Sequence, residues 1–68
     1  MDEIILVLMD EIAEAIREAG YDPYVQLTGY IRTGNDRYIT RTSNARERIR
    51  QIDRKDLKQY IGRINPKE

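Results

Sequence analysis

The sequence contains no cysteine, histidine, tryptophan or phenylalanine. Without cysteine no disulfide can form, and without cysteine and histidine a zinc site lacks its two best ligand types. The same absences exclude catalysis by a thiol or an imidazole. A chain of 68 residues is one domain at most, residues 1–68, and buries only about 60% of the surface of its unfolded state. A second copy of the chain is therefore the first source of extra stability that we expect.

The formal net charge is zero, because twelve basic side chains balance twelve acidic ones. The two signs are nevertheless separated along the chain. Residues 1–22 carry seven acidic groups against one basic group, a net charge of −6, and residues 23–68 carry eleven basic against five acidic, a net charge of +6. This asymmetry predicts an acidic surface on the first element and a basic surface on the rest, and it permits charge complementarity between subunits.

No segment has the pattern of a signal peptide or a membrane span. The N-terminus is acidic and its apolar run is short, whereas a signal peptide begins with basic residues and continues with a longer apolar core. No apolar run approaches the ~20 residues of a membrane-spanning helix. We therefore expect a cytoplasmic protein that does not insert into a membrane.

Apolar residues at helical spacing and helix-capping residues predict an all-α fold, a compact small bundle of about four helices per subunit. The first helix is expected over residues 2–19, and the second follows the capping residue Asp22. Asn44 and Glu47 form a capping-box-like pair at the start of the third helix. The fourth helix begins at Asp53 and has the cleanest helical pattern of apolar residues, at Leu57, Tyr60, Ile61 and Ile64.

Six consecutive apolar residues open the first helix and therefore point to all of its sides. A domain of this size has too little protein to cover them, and Val7 lies on the same face as Glu3, Glu11 and Glu14. We therefore predict a homodimer in which this run supplies the interface, formed by Ile4, Ile5, Leu6, Val7, Leu8 and Met9. A short buried strand is the alternative interpretation of the run.

Two places in the sequence raise the question of close packing, one inside the second helix and one in the connector of residues 34–43 that follows it. Gly29 lies inside the second helix, where glycine costs about 1 kcal/mol relative to alanine. Either another group crosses closely there or the glycine is merely tolerated. We expect Tyr38 and Ile39 to pin the connector into the core.

No group of residues in the sequence has a convincing pattern of a catalytic or metal-binding site. The carboxylates of Asp10, Glu11 and Glu14 suit a hard cation by ligand type, but this spacing is more typical of a solvated helix face. Ser43 has no histidine to activate it. Gly29 and Gly34 lack the context of a phosphate-binding loop. We expect no enzyme activity, no metal and no cofactor.

Seven arginines crowd one stretch of the chain: Arg32, Arg37, Arg41, Arg46, Arg48, Arg50 and Arg54. Arginine is the preferred contact for phosphate, so a small helical nucleic-acid-binding protein is the alternative function. The neutral chain and the i, i+2 spacing of these residues, which spreads them over several helix faces, argue against it. The other interpretation is a salt-bridged surface that faces the acidic first helix of the same or another subunit.

A hydroxyl cluster, Thr40, Thr42 and Ser43, lies among these arginines. A phosphate on one of these residues would gain charge-assisted hydrogen bonds, which makes them candidate phosphoacceptors. The alternative is that the hydroxyls satisfy backbone groups at the start of the third helix.

A set of residues in fixed order and spacing resembles the IreB family, small regulatory phosphoproteins of Gram-positive bacteria. The similarity covers roughly residues 2–64. The residues that carry it are Gly20, Tyr21, Pro23, Gln26, Gly29, Tyr30, Gly34, Tyr38, Ile39, Thr40, Asn44, Ala45 and Arg46.

The resemblance implies a helical homodimer without enzymatic activity, whose partners are a second copy and a Ser/Thr kinase or another signalling protein. It implies a negative regulator of cell-envelope stress and cephalosporin resistance, downstream of a membrane kinase with extracellular PASTA repeats. In the family that kinase modifies threonines in a tail before the first helix. Here Met1 leads directly into Asp2 and Glu3, so those phosphoacceptors have no counterpart in this sequence. Either regulation differs in this member or the tail lies outside residues 1–68.

Overall fold

The computed structural model describes residues 2–65, which form four α-helices and two short 3₁₀ turns and contain no strand. The helices are α1 (Glu3–Glu18), α2 (Pro23–Thr33), α3 (Ala45–Ile49) and α4 (Arg54–Arg63). The 3₁₀ turns, Asp36–Tyr38 and Thr42–Asn44, lie between α2 and α3. The predicted all-α fold is confirmed for these residues, and the start of α1 is a helix and not a strand. None of the described helices is long and apolar enough to cross a membrane.

Aspartate caps fix the starts of three helices. The carboxylates of Asp2, Asp22 and Asp53 accept hydrogen bonds from the backbone N–H groups two residues later, at 3.0, 2.8 and 3.1 Å. Gly34 ends α2 with φ +71°, a left-handed conformation that glycine adopts without strain. The predicted cap at Asp22 is confirmed.

The start of α3 differs from the prediction. Asn44 has φ 60° and its side chain makes no capping hydrogen bond, so the predicted capping box with Glu47 is wrong. A capping residue normally has extended backbone angles, which aim its side chain at the first turn of the helix. Ser43 is also left-handed, with φ 52°. Two successive left-handed residues redirect the chain sharply, and α3 then runs for only five residues.

The core lies where α1 packs against α2, α3 and α4. Its buried side chains are Met9, Ile12, Ala13, Ala15, Ile16, Leu27, Ile39, Ala45, Ile49, Ile52, Leu57 and Tyr60. Met9 is fully buried inside this single subunit. It offers no surface to a second copy, and we remove it from the predicted interface.

The connector between α2 and α3 is held by Ile39, whose side chain is fully buried, as predicted. Tyr38 does not enter the core: it is 49% exposed, and its ring lies over Gly29. The expectation that Tyr38 pins the connector into the core is therefore wrong, because the ring covers the outer face of α2 instead. The close crossing at Gly29, one of the two interpretations of that glycine, is confirmed.

Candidate functional site

A groove of about 560 Å³ lies between the start of α2 and the connector. We call it the tyrosine–arginine groove. It is lined by Tyr21, Val25, Gln26, Arg37, Tyr38, Ile39, Thr40, Arg41 and Arg46. Most of these residues belong to the set on which the family resemblance rests, although they are spread over 26 positions of sequence.

Hydrogen bonds across the groove hold its two sides together. The side-chain oxygen Oε1 of Gln26, on α2, accepts a hydrogen bond of 3.0 Å from the backbone N–H of Thr40. The Nε atom of Arg46, on α3, donates one of 3.1 Å to the backbone carbonyl of Ile39. Because Ile39 is anchored in the core, these bonds fix the floor of the groove relative to α2 and α3.

The groove carries positive charge that the described part of the chain does not neutralise. Arg37 and Arg41 are exposed, and Arg46 is half-buried. None of the three forms an ion pair within residues 2–65, and no carboxylate lines the groove. The groove can therefore attract an anionic group, and its tyrosines offer amphipathic surface beside that charge.

The arginines behind the groove are engaged within the subunit. Arg50 pairs with Asp36, and its Nε atom lies 2.6 Å from Oδ2 of that carboxylate. Arg48 pairs with Glu11 of α1 at 3.2 Å. One interpretation of the arginine stretch was a salt-bridged surface that faces the acidic first helix. The structure has such a contact at Arg48, which pairs with Glu11. A smaller cleft of about 310 Å³ lies beside Arg50 and shares two side chains, Arg41 and Arg46, with the groove; it is lined by Arg41, Asn44, Arg46, Glu47 and Arg50.

The opening of α1 presents apolar side chains to solvent. Ile4 is 75% exposed and Val7 is 57% exposed. They line a shallow hollow of about 290 Å³ together with Glu3. Of the other four apolar residues of this run, Ile5, Leu6 and Leu8 are half-buried and pack against the core, and Met9 is fully buried. The predicted interface thus reduces to two exposed side chains with half-buried neighbours.

One member of the hydroxyl cluster, Thr40, lines the groove, and Thr42 and Ser43 follow it closely along the chain. The hydroxyl of Thr40 donates a hydrogen bond of 3.0 Å to the hydroxyl of Thr42 and accepts one of 3.2 Å from the backbone N–H of Thr42. Thr42 and Ser43 are exposed and Thr40 is half-buried. These contacts agree with a role in shaping the turn. The role of Thr40, Thr42 and Ser43 as phosphoacceptors stays a prediction.

The acidic residues of α1 do not converge on a metal site. No group of three or more potential ligand residues that could hold a metal ion occurs within residues 2–65. The carboxylate of Asp10 instead accepts a hydrogen bond of 2.7 Å from the Tyr60 hydroxyl. Burial raises the pKa of Tyr60 well above its ordinary value, and the bond to Asp10 and the charge of Asp10 act in the same direction. Sequence reasoning missed this pair because the two residues are 50 positions apart.

We call the residues on which the family resemblance rests the family set. Several of them that do not line the groove serve the fold. Gly20 and Gly34 have φ values of +90° and +71°, a region that side chains rarely adopt. Pro23 is buried in the first turn of α2, Ala45 is buried at the start of α3, and Tyr30 packs half-buried against the core. The family set therefore divides into residues that shape the chain and residues that line the groove.

Comparison with known proteins gives a consistent assignment. The family model described as IreB regulatory phosphoprotein matches residues 2–63. A UPF0297 protein of Ruminiclostridium cellulolyticum is 35% identical over 54 residues, which cover 79% of this chain and 61% of that protein. A UPF0297 protein of Acetivibrio thermocellus is 39% identical over 56 residues, which cover 82% of this chain and 62% of that protein.

The chain therefore spans about three fifths of the length of these curated relatives. The family match itself extends over nearly all of the 68 residues, and the resemblance carried by the residues alone is confirmed. The protein belongs to the IreB family of regulatory phosphoproteins.

Proposed function

We propose that this protein is a non-enzymatic regulatory adaptor of a Gram-positive bacterium. It acts in the cytoplasm as a negative regulator of the response to cell-envelope stress and of cephalosporin resistance, downstream of a PASTA-type Ser/Thr kinase. The observation that carries this proposal is the family match over residues 2–63, in a family described as regulatory phosphoproteins. The groove lined by residues of the family set supplies a surface through which an adaptor works.

The chemistry of the groove supports binding rather than catalysis. Its side chains are tyrosine, arginine, glutamine, threonine, valine and isoleucine. This lining contains no carboxylate, histidine or cysteine, which are the usual general bases and nucleophiles near neutral pH. Tyrosine and arginine are the residues that dominate the energy of protein–protein interfaces.

A homodimer is part of the proposal. Ile4 and Val7 place exposed apolar surface at one end of α1, and a domain of this size gains stability when a second copy covers such surface. The interface that we propose is centred on these two residues and includes the half-buried Ile5, Leu6 and Leu8.

We propose that phosphorylation is the signal that regulates this protein. The candidate acceptors within this chain are Thr40, Thr42 and Ser43; Thr40 lines the groove together with Arg41 and Arg46, and Thr42 is hydrogen-bonded to Thr40. A phosphate on Thr42, which is exposed, would add negative charge at the edge of the groove and change what the groove binds. Acceptors in the segment that family members carry before the first helix are not assigned to any residue of this chain.

Nucleic-acid binding, the alternative, is less well supported by the arrangement of the arginines on and beside α3. Two of the three arginines on or next to α3, Arg48 and Arg50, are paired with Glu11 and Asp36. The helix itself has five residues, which is short for an element that enters a nucleic-acid groove.

The test of the proposed function is genetic. Deletion of the gene for this protein from its native host is expected to raise cephalosporin resistance, because a negative regulator is lost. Deletion of the PASTA-type kinase alone is expected to lower resistance, and the double deletion is expected to resemble the single deletion of the regulator. Unchanged resistance in the first strain, or a double deletion that behaves like the kinase deletion, would contradict the proposal.

A further inference from the structure

We propose that the tyrosine–arginine groove binds an acidic segment of a partner protein, in extended conformation, through carboxylates that reach Arg37 and Arg41. This inference rests on the proposed adaptor function and names the surface and the partner chemistry that the adaptor uses. The groove is a different surface from the proposed dimer interface, which is formed by residues 4–8 at the start of α1.

The first support is the unbalanced charge of the groove. Arg37, Arg41 and Arg46 line one groove without a carboxylate among its other lining residues. Within residues 2–65 none of the three has an ion-pair partner, whereas the neighbouring Arg48 and Arg50 both have one. Like charges that share a groove repel each other, and an acidic ligand relieves this repulsion while it forms charge-assisted hydrogen bonds.

The second support is the apolar surface beside these charges. Tyr21 is 57% exposed, Val25 is 63% exposed and Tyr38 is 49% exposed. All three line the groove. A combination of exposed tyrosine and arginine around an apolar side chain is the composition of an interface hot spot and not of an ordinary solvated face.

The third support is that the groove is already formed. Gln26 and Arg46 tie the connector to α2 and α3 through hydrogen bonds to Thr40 and Ile39. The ring of Tyr38 rests on Gly29. A preformed groove does not have to be ordered when a ligand arrives, so less of the interaction free energy is lost on binding.

The size of the groove favours a ligand larger than a single ion. Its volume is about 560 Å³, and it is open to solvent. A single phosphate or carboxylate ion would fill a small part of it, whereas several residues of a peptide would occupy it. The separate positions of Arg37 and Arg41, on and after a 3₁₀ turn, suit charges spread along a segment.

A protein segment suits the groove better than a nucleic acid does. The chain has no net charge, and its first 22 residues carry a net charge of −6. A long polyanion therefore experiences no overall attraction and meets repulsion from α1. A short acidic segment needs only the local charge of the groove, and its apolar side chains have Tyr21 and Val25 to pack against.

The experiment is a fluorescence-anisotropy titration of the purified chain against a labelled decapeptide of glutamate, leucine and glycine. The matched control peptide has glutamine in place of every glutamate. We expect saturable binding of the acidic peptide and at least tenfold weaker binding of the control peptide. Equal binding of the two peptides, or no binding of the acidic peptide at low salt, would overturn the proposal.

Charge-neutralising variants locate the site. The double substitution Arg37→Gln and Arg41→Gln removes two exposed charges and is expected to weaken peptide binding by about tenfold, as the loss of two exposed ion pairs predicts. The control, Arg54→Gln with Arg63→Gln, removes the same charge from exposed positions on α4 and is expected to change binding by less than twofold. Similar losses in both variants would mean that net charge and not the groove binds the peptide.

Two further ligands distinguish the sources of negative charge. A peptide of the same length with one phosphoserine and no glutamate is expected to bind more weakly than the acidic peptide, and tighter binding would assign the groove to a phosphopeptide instead. Single-stranded oligouridine is expected not to displace the acidic peptide, and displacement would assign the groove to nucleic acid. Failure of these titrations leaves the resistance phenotype of the deletion strain unaffected, so the two proposals fail separately.

Discussion

The ring of Tyr38 rests on Gly29 so closely that a Cβ atom built at residue 29 would lie 2.8 Å from Cδ1 of the ring. This contact explains why α2 has glycine in its interior, where glycine costs about 1 kcal/mol relative to alanine. It also places Tyr38 at the side of the tyrosine–arginine groove. The packing of a helix interior and the shape of the candidate site therefore depend on the same pair of residues.

Substitution Gly29→Ala tests this dependence. The methyl group must push the Tyr38 ring outward, while the higher helix propensity of alanine contributes about 1 kcal/mol in the opposite direction. We expect the free energy of unfolding to change by less than about 1 kcal/mol, the NMR signals of the Tyr38 ring to move, and the affinity for the acidic peptide to fall. Chemical denaturation, ring proton shifts and the anisotropy titration measure the three effects.

The matched control is Gly62→Ala, because Gly62 lies inside α4 with nothing within 4 Å of its built Cβ position. Here we expect only the helix-propensity effect, a gain of roughly 0.5–1 kcal/mol in the free energy of unfolding. If Gly29→Ala stabilises the protein as much as the control and leaves the Tyr38 signals in place, the close packing of the pair is refuted.

Substitution Tyr60→Phe removes the hydrogen bond that joins α4 to α1 at Asp10. We expect a loss of about 0.5–1.5 kcal/mol in the free energy of unfolding, the usual net value of one hydrogen bond. Tyr21→Phe is the control, since the Tyr21 side chain is largely exposed, and it is expected to have almost no effect. Equal stability of the two variants in urea titrations would argue against the bond to Asp10.

The raised pKa of Tyr60 predicts a pH dependence of stability. The unfolded chain loses the Tyr60 proton near the ordinary pKa of 10.0, whereas the folded protein keeps it to higher pH. Above pH 10 the unfolded state therefore binds fewer protons than the folded state, and the free energy of unfolding falls as pH rises. We expect this decline, which sets in near the ordinary pKa of 10.0, to be shallower in Tyr60→Phe than in the unmodified protein. Parallel declines would contradict the prediction.

Substitution Val7→Lys tests the proposed dimer interface. A lysine that is desolvated between two subunits is expected to weaken the dimer by several kcal/mol. Gln59→Lys adds the same charge at an exposed position of α4 and is expected to leave the dimer intact. Sedimentation velocity at micromolar concentration measures both variants. A stable monomer of the unmodified chain, near 8.1 kDa, would contradict the dimer, and an intact Val7→Lys dimer would remove Val7 from its interface.

Substitution Ser43→Gly tests the left-handed turn before α3. Serine at φ 52° carries a conformational cost of about 1–2 kcal/mol that glycine does not. After the greater entropy loss of glycine on folding, we expect a net gain of roughly 0.5 kcal/mol. Thr42→Gly, at the preceding position, is expected to destabilise the protein. A loss of stability in Ser43→Gly would contradict the assigned conformation.

Much of the fold follows from the sequence because its signals are local. Apolar spacing and the aspartate caps at Asp22 and Asp53 identified α2 and α4, since helical periodicity and capping depend on residues within a few positions of each other. The capping box at Asn44 was wrong because the backbone there takes a left-handed turn, which a side-chain pattern does not encode.

The candidate site was only partly predictable for a related reason. Gln26, Arg37 and Arg46 are far apart in the sequence, and only the packing of the connector on α2 and α3 brings them into one groove. The family resemblance named Gln26 and Arg46 but left open whether they serve folding or partner binding. Met9 was assigned to the interface because an apolar run does not distinguish the side that packs inside the subunit from the side that remains exposed.

The most direct test of the account is the cephalosporin resistance of the deletion strain carrying the unmodified gene, the Arg37→Gln/Arg41→Gln gene or the Arg54→Gln/Arg63→Gln gene, at equal protein levels. The account predicts that the first and third genes return resistance to the level of the parent strain and that the second does not. Resistance that is the same in the deletion strain and its parent would contradict the account at its centre.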